Sequence, residues 1–179
     1  MTDLVDDLAA ARIGATYNQY AGSGLRRARL RLYLESRANA PILLVGEAAG
    51  YRGARVSGLA FTSERQLTGT GPAEASATIV HRVLAELGLE EQVLLWNLVP
   101  THPGTAASNR PPRRAEIAAA RPFLAELARG RTVLPVGRLA HSELGGDYVR
   151  HPAHGGAAGF RSGLLRFSAG APGARRFHA

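Results

Sequence analysis

Cysteine and lysine are both absent from this chain of 179 residues. Without cysteine there are no disulfides, thiolate nucleophiles, zinc–thiolate sites or ordinary iron–sulfur clusters. No apolar run approaches the roughly 18 residues that a membrane span needs. The opening residues, Met1-Thr2-Asp3-Leu4-Val5-Asp6-Asp7, are acidic where a secretory signal would be basic and then apolar, so the expected compartment is the cytoplasm. Acidic residues are few, 14 against 22 basic ones, which leaves a formal net charge of +8. Every basic residue is arginine, whose planar fork of donors fits phosphate, so a polyanionic partner is one reading of that charge. Nucleotide bias in an Ala/Gly/Arg-rich genome is the other.

The remainder is ordinary for a globular protein, with 45% apolar and 20% charged residues, and the length suits one domain. Three short apolar runs, 41–46, 92–97 and 132–137, read as buried parallel strands, each followed by a loop rich in Gly, Pro or Asn. Residues 148–150 are a shorter fourth candidate. Helices are expected over 25–38, with Leu25, Ala28 and Leu32 on one side, over 72–87 and over 114–128. That alternation predicts an α/β fold, a three-layer α/β/α sandwich around a central four-stranded parallel sheet. The expected domain spans 1–167, and 168–179 is expected to be a loosely held tail.

Ligands in such folds sit beyond the carboxyl ends of the strands. The loop after the first strand reads Gly46-Glu47-Ala48-Ala49-Gly50-Tyr51 and continues to Ser57-Gly58-Leu59-Ala60-Phe61-Thr62. Its small residues let backbone approach a ligand and leave a carboxylate and an aromatic ring at the rim. Read alone, it is more often just a tight turn, with Phe61 in the core. The second loop starts at Asn97 and runs through His102 to Asn109-Arg110-Pro111-Pro112. A strand-end amide can read a base edge, or it can cap local backbone. The third loop is Arg150-His151-Pro152-Ala153-His154-Gly155-Gly156. Its histidines, with His141 and His102, could be metal ligands, but no acid or thiolate accompanies them at a recognisable zinc spacing. A histidine at a strand end can instead donate to an oxygen that gains negative charge.

In this order the three loops resemble the uracil-DNA glycosylase superfamily. The resemblance runs from about residue 41 to 167 and is closest to the branch with a Gly-Glu-Ala-Pro-Gly first motif. Here that motif stands as Gly46-Glu47-Ala48-Ala49-Gly50, followed by Gly58-Leu59-Ala60-Phe61. Asn97 with Asn109-Arg110-Pro111-Pro112, and His151-Pro152-Ala153-His154, match the second and third motifs. The resemblance implies an N-glycosyl hydrolase of base excision repair that flips out and removes uracil or a related deaminated base. It implies that Phe61 stacks on that base, that Asn97 pairs with its edge, and that Gly46 and Ala48 line its pocket. Glu47 and His151 become the expected catalytic residues. The first holds water or stabilises the sugar cation, and the second faces the carbonyl oxygen of the leaving base. Arg52, Arg55, Arg110, His154, Gly155 and Arg161 are the expected DNA contacts. No metal or other cofactor is expected. The expected partner is DNA bearing the altered base, with no membrane involved and the protein acting as a monomer.

Four departures accompany the resemblance. The cysteines of cluster-bearing members are missing. Ala48 stands where the best-known uracil glycosylases carry a catalytic Asp, and Gly50 where they use Tyr against the thymine methyl. His154 replaces the second Pro of the third motif. The alternative reading is a non-catalytic module that binds a base or an abasic site in the same pocket.

Overall fold

The structure, a computed structural model, describes residues 3–168. Its elements in chain order are α1 (Leu4–Ala10), α2 (Gly24–Ser36), β1 (Ile42–Ala48), α3 (Ala54–Ser57), α4 (Glu64–Thr68) and α5 (Ala75–Glu86). Then follow β2 (Val93–Val99), α6 (Arg114–Ala128), β3 (Thr132–Pro135), α7 (Arg138–Leu144) and α8 (Ala157–Ser168). Apart from Ser168, which closes α8, the expected tail lies outside the described residues.

The strands pair in parallel in the order β2-β1-β3. Leu43 of β1 is in register with Leu94 of β2 on one side and Val133 of β3 on the other, while Gly46 stands opposite Asn97. Successive strand side chains point to opposite faces, and here both faces are apolar. Leu43, Val45, Leu94, Trp96 and Leu98 pack with Leu8 of α1, Leu30 of α2 and Ile117, Ala120 and Leu124 of α6. Ile42, Leu44, Val93, Leu95 and Leu134 pack on the other side with Val80, Val83 and Leu84 of α5 and Phe160 and Leu164 of α8. Burial on both faces explains why the strands read as continuous apolar runs rather than alternating ones.

The sheet has three strands, not the expected four. Val149 makes a single parallel bridge to Val136, through Gly137 N–H to Val149 O at 2.9 Å and Val149 N–H to Pro135 O at 3.1 Å. Gly145 and Gly146, which weaken a strand, precede it, and Pro152, which has no N–H to give the ladder, follows closely. The buried side of α2 also differs from the expectation. Leu25 and Leu32 are 61% and 67% exposed, and Leu30 faces the core instead. Arg26 and Arg29 turn inward because α2 covers main chain: Arg26 Nε donates to Val56 O at 2.8 Å, and Arg29 pairs with Glu64 through two 2.8 Å bonds.

Candidate active site

The carboxyl ends of the strands and their loops enclose a cleft of about 970 Å³. Glu47, Ala48, Phe61, Asn97 and His151 all line it, so the three motifs converge on one place. Glycine spacing shows how closely. A Cβ added to Gly46 would lie 2.7 Å from Asn97 Oδ1 and 2.8 Å from Phe61 Cε2, so only glycine lets the ring and the amide meet over β1. A Cβ added to Gly137 would lie 3.4 Å from both Glu47 Oε1 and His151 Cβ. The carboxylate and the imidazole therefore flank the same point at the end of β3.

Phe61 sits at φ 51°, a left-handed conformation that side chains rarely adopt and that costs roughly 1–2 kcal/mol. Buried hydrogen bonds hold it there. Ser57 Oγ donates to Thr62 O at 2.6 Å and accepts from Leu59 N at 3.0 Å, while Tyr20 Oη donates to Gly58 O at 2.9 Å. The Phe61 ring lies 6.4 Å from that of His151, tilted by 37°.

Asn97 is 4% exposed and lines the cleft, and its side-chain amide bonds to no other described residue. It does not cap local backbone. Its donors and acceptor face the cleft and are free to bond to a ligand there. His151 Nδ1 accepts from Ala153 N–H at 3.1 Å, which assigns the ring proton to Nε2. Burial, and to a lesser degree His154, hold this imidazole below its usual titration range, so it is neutral at pH 7. The site therefore offers a neutral N–H donor. Burial also holds the Glu47 carboxyl above its ordinary range.

The expected DNA contacts divide. Arg52 and His154 line the cleft, and His154 (φ 52°) and Gly155 form an exposed left-handed turn at its edge. Arg55 lies over the Tyr17 ring, 5.0 Å from its centroid. Arg110 lines the cleft, but its guanidinium is engaged by the buried Glu116 at 2.8 and 2.6 Å. Arg161 is on α8 and pairs with Glu86 of α5 at 3.3 Å. Arg138, Arg150 and Tyr148 also line the cleft and are not among the expected contacts, although Arg138 directly follows the apolar run 132–137. Among the described residues no three His, Asp or Glu side chains converge as a metal site would require, and no helix is long and apolar enough to cross a membrane.

Two further residues brace the first loop. Glu74, just before α5, lines the cleft, and its carboxylate accepts from the amides of Arg52, at 3.2 Å, and Gly53. Burial raises its pKa, opposed by those amides and by the charges of His102 and Arg52. The fully buried His102 has Nδ1 2.6 Å from Ala49 O and Nε2 2.6 Å from Thr105 O. Carbonyl oxygens only accept, so both bonds form together when each nitrogen carries a hydrogen. His102 thereby ties the first loop to the second. Nothing local in the sequence signals Glu74, whereas a histidine in the second loop was at least visible.

The family model of the uracil DNA glycosylase superfamily matches residues 34–169. The solved structure of wild-type SMUG2 from Pedobacter heparinus is similar in fold, with a TM-score of 0.62 and 14% sequence identity, over 94% of this chain and 97% of that one. No curated protein matches the chain. A match across this much of the sequence decides the family, and the chain belongs to the uracil DNA glycosylase superfamily, without the cysteines that bind an iron–sulfur cluster in one of its branches.

Proposed function

We propose that the protein is a DNA glycosylase that removes uracil or a related deaminated base by hydrolysing its N-glycosidic bond. The observation that carries this reading is the Asn97 amide, facing the cleft beside the Phe61 ring with no bond to another described side chain. An amide offers one acceptor and two donors, as the edge of a lactam base requires, and the ring offers a stacking face. Extruding a base from the duplex costs a few kcal/mol, which stacking and edge pairing offset.

As the bond from C1′ to the base nitrogen breaks, its electrons move onto the base and the sugar becomes cationic. The neutral His151 donates from Nε2 to the base oxygen that gains charge, at no cost of reorganisation. Glu47, across Gly137, stabilises the sugar cation, orients the water that adds to C1′ and takes that water's proton, while the base leaves as its anion. Arg52, Arg138 and Arg150 at the rim meet phosphates, and the His154–Gly155 turn enters beside the extruded nucleotide. Arg161 keeps access to phosphate because its partner Glu86 is itself exposed. Arg110, held by Glu116, serves the loop rather than the DNA.

The test is single-turnover cleavage of oligonucleotides carrying uracil, thymine, hypoxanthine or xanthine, single-stranded and opposite each partner base, with and without chelator. Cleavage of at least one deaminated base that is unaffected by chelator and slowed by Glu47→Gln is the expected result. Tight binding with no cleavage of any base would instead mark a non-catalytic module.

A further inference from the structure

We propose that His81 is a positioning residue for the stacking ring: from α5, outside the cleft, it holds Phe61 over the end of β1 through Thr62. What the ring stacks on rests on the glycosylase reading above; the tether itself rests on geometry.

The ring has little latitude. Phe61 keeps a left-handed backbone, and its ring lies so close over Gly46 that no Cβ would fit between them. Several bonds that shape this turn are made within it. Thr62 N–H donates to Leu59 O at 3.3 Å, and Ser57 Oγ donates to Thr62 O at 2.6 Å. Such bonds fix the form of the turn but not its place against the sheet, which needs partners from elsewhere in the chain. Tyr20 supplies one at Gly58 O, on the approach to the ring. His81 supplies another just past it, with Nε2 2.9 Å from Oγ1 of Thr62.

The direction of that bond follows from the hydroxyl. Thr62 Oγ1 has one hydrogen, which it donates to Ala60 O at 3.0 Å. Toward His81 the oxygen can then only accept, so the imidazole carries its proton on Nε2. The Phe61 carbonyl accepts from the same imidazole. Burial holds His81 below its usual titration range, opposed by that carbonyl and by Glu90, so the ring is neutral at pH 7.

The helix that carries His81 is fixed to the sheet. Val80, Val83 and Leu84 are buried with Leu44 and Leu95, and Phe61 packs against the same apolar cluster. Thr62 is 3% exposed, so the bond from His81 is made away from water. His81 thus refers the turn to the sheet whose first strand carries Gly46. It is not among the residues that line the cleft, so it acts on a bound base only through the ring. A base stays stacked in the bound substrate and in the transition state alike. A displaced ring should therefore weaken binding more than it slows the chemical step.

Two readouts on the whole protein test this, the first without DNA. In the parent, nuclear Overhauser contacts should join the Phe61 ring to Gly46, and imidazole nitrogen shifts should place the His81 proton on Nε2. His81→Phe, which keeps a ring but no donor, should lose the contacts to Gly46. Thr62→Val, which removes the acceptor, should lose them too. His81→Gln keeps an N–H at similar reach and should retain them. The second readout is affinity for a duplex carrying 2′-fluorodeoxyuridine, whose fluorine opposes the sugar cation and so blocks cleavage, beside the same duplex with an abasic tetrahydrofuran. His81→Phe should weaken the first by about fivefold, as one lost aromatic stack predicts, and leave the second within about twofold. A proton on Nδ1, Gly46 contacts unchanged in His81→Phe and Thr62→Val, a His81→Gln that behaves as His81→Phe does, or equal losses on both duplexes would each overturn the inference. Lost contacts in a protein that prefers neither duplex and cleaves no base would leave the tether standing and overturn the glycosylase reading. Cleavage by the parent, with Gly46 contacts unchanged in both variants, would do the reverse.

Discussion

The carboxylate of Glu74 occupies the space that a side chain on Gly50 would need: a Cβ there would lie 2.7 Å from Glu74 Oε2 and 2.8 Å from its Cδ. The two residues belong to different segments, one the loop after β1 and the other the approach to α5, yet a side chain cannot be added at the first while the acid stays at the second. Gly53 has the same dependence, with Glu74 Cδ 3.0 Å from its Cβ position. The wall of the cleft is a contact between a missing side chain and a half-buried acid.

Gly50→Ala and Glu74→Ala should therefore be non-additive. Each alone should destabilise the fold by about 1–2 kcal/mol, the first by displacing the carboxylate and the second by leaving the Arg52 and Gly53 amides unpaired. The double variant should recover about 1 kcal/mol relative to the sum, because the clash disappears with the acid. Urea denaturation of all four proteins measures this, and strict additivity would disprove the coupling.

His151 should act as a neutral donor. Its pKa is lowered by burial, so the neutral ring persists as pH falls below its usual titration range and protonates only in more acid solution. Cleavage should not require a protonated His151, and the rate it controls should stay level from pH 8 down through about 6.5, the ordinary histidine value. His151→Ala should slow single-turnover cleavage by about two to three orders of magnitude with little change in DNA affinity. A rate that rises as His151 protonates would replace the neutral donor with a cationic one.

Asn97→Asp should redirect base choice rather than abolish binding. The substitution keeps the shape but removes the side-chain donors, so a base edge that needs one loses its partner inside a buried site. The ratio of single-turnover rates for uracil and for bases with a different edge should shift by tenfold or more, on the order of 1–3 kcal/mol for one buried bond. An unchanged ratio would mean that the amide does not touch the base.

The Arg110–Glu116 pair should govern acid stability. Arg110's hydrogen bonds, with the amide of Arg113, hold the Glu116 carboxyl down at about 2 despite its burial. Its stabilisation is fully present above the ordinary carboxylate value near 4.5 and is lost as pH falls toward about 2. At neutral pH that amounts to on the order of 3 kcal/mol. Arg110→Ala should remove most of it and flatten the acid limb of stability against pH. An identical acid midpoint in the variant would place the lowered carboxyl elsewhere.

Much of this architecture was legible locally. The runs around Leu43, Leu94 and Val133 announce strands because burial on both faces leaves no room for polar residues, and α6 runs from Arg114 to Ala128 as its periodicity indicates. The inward face of α2 is not legible from its period, because Arg26 and Arg29 are half-buried against main-chain carbonyls and Glu64, partners that no helical period reveals. In the cleft, the residues placed from the three motifs lie at strand ends and in the loops that follow them, which sequence order marks. Glu74 and His102 brace the first loop through partners far along the chain, at Arg52 and Ala49, and such pairings exist only in three dimensions.

The shortness of β3 and the solitary bridge of Val149 carry one more consequence. A full fourth strand would keep its axis for several residues and send alternate side chains to the two sheet faces, where helices would cover them. Because the chain touches the sheet at one residue only, it is released at Arg150 and bends straight into the mouth beside Glu47. The interrupted edge works as a hinge pin: it anchors the third loop at Val149 and leaves His151, two residues on, at liberty to turn inward. Lengthening that edge into a proper strand would strengthen the sheet and carry the imidazole away from its place.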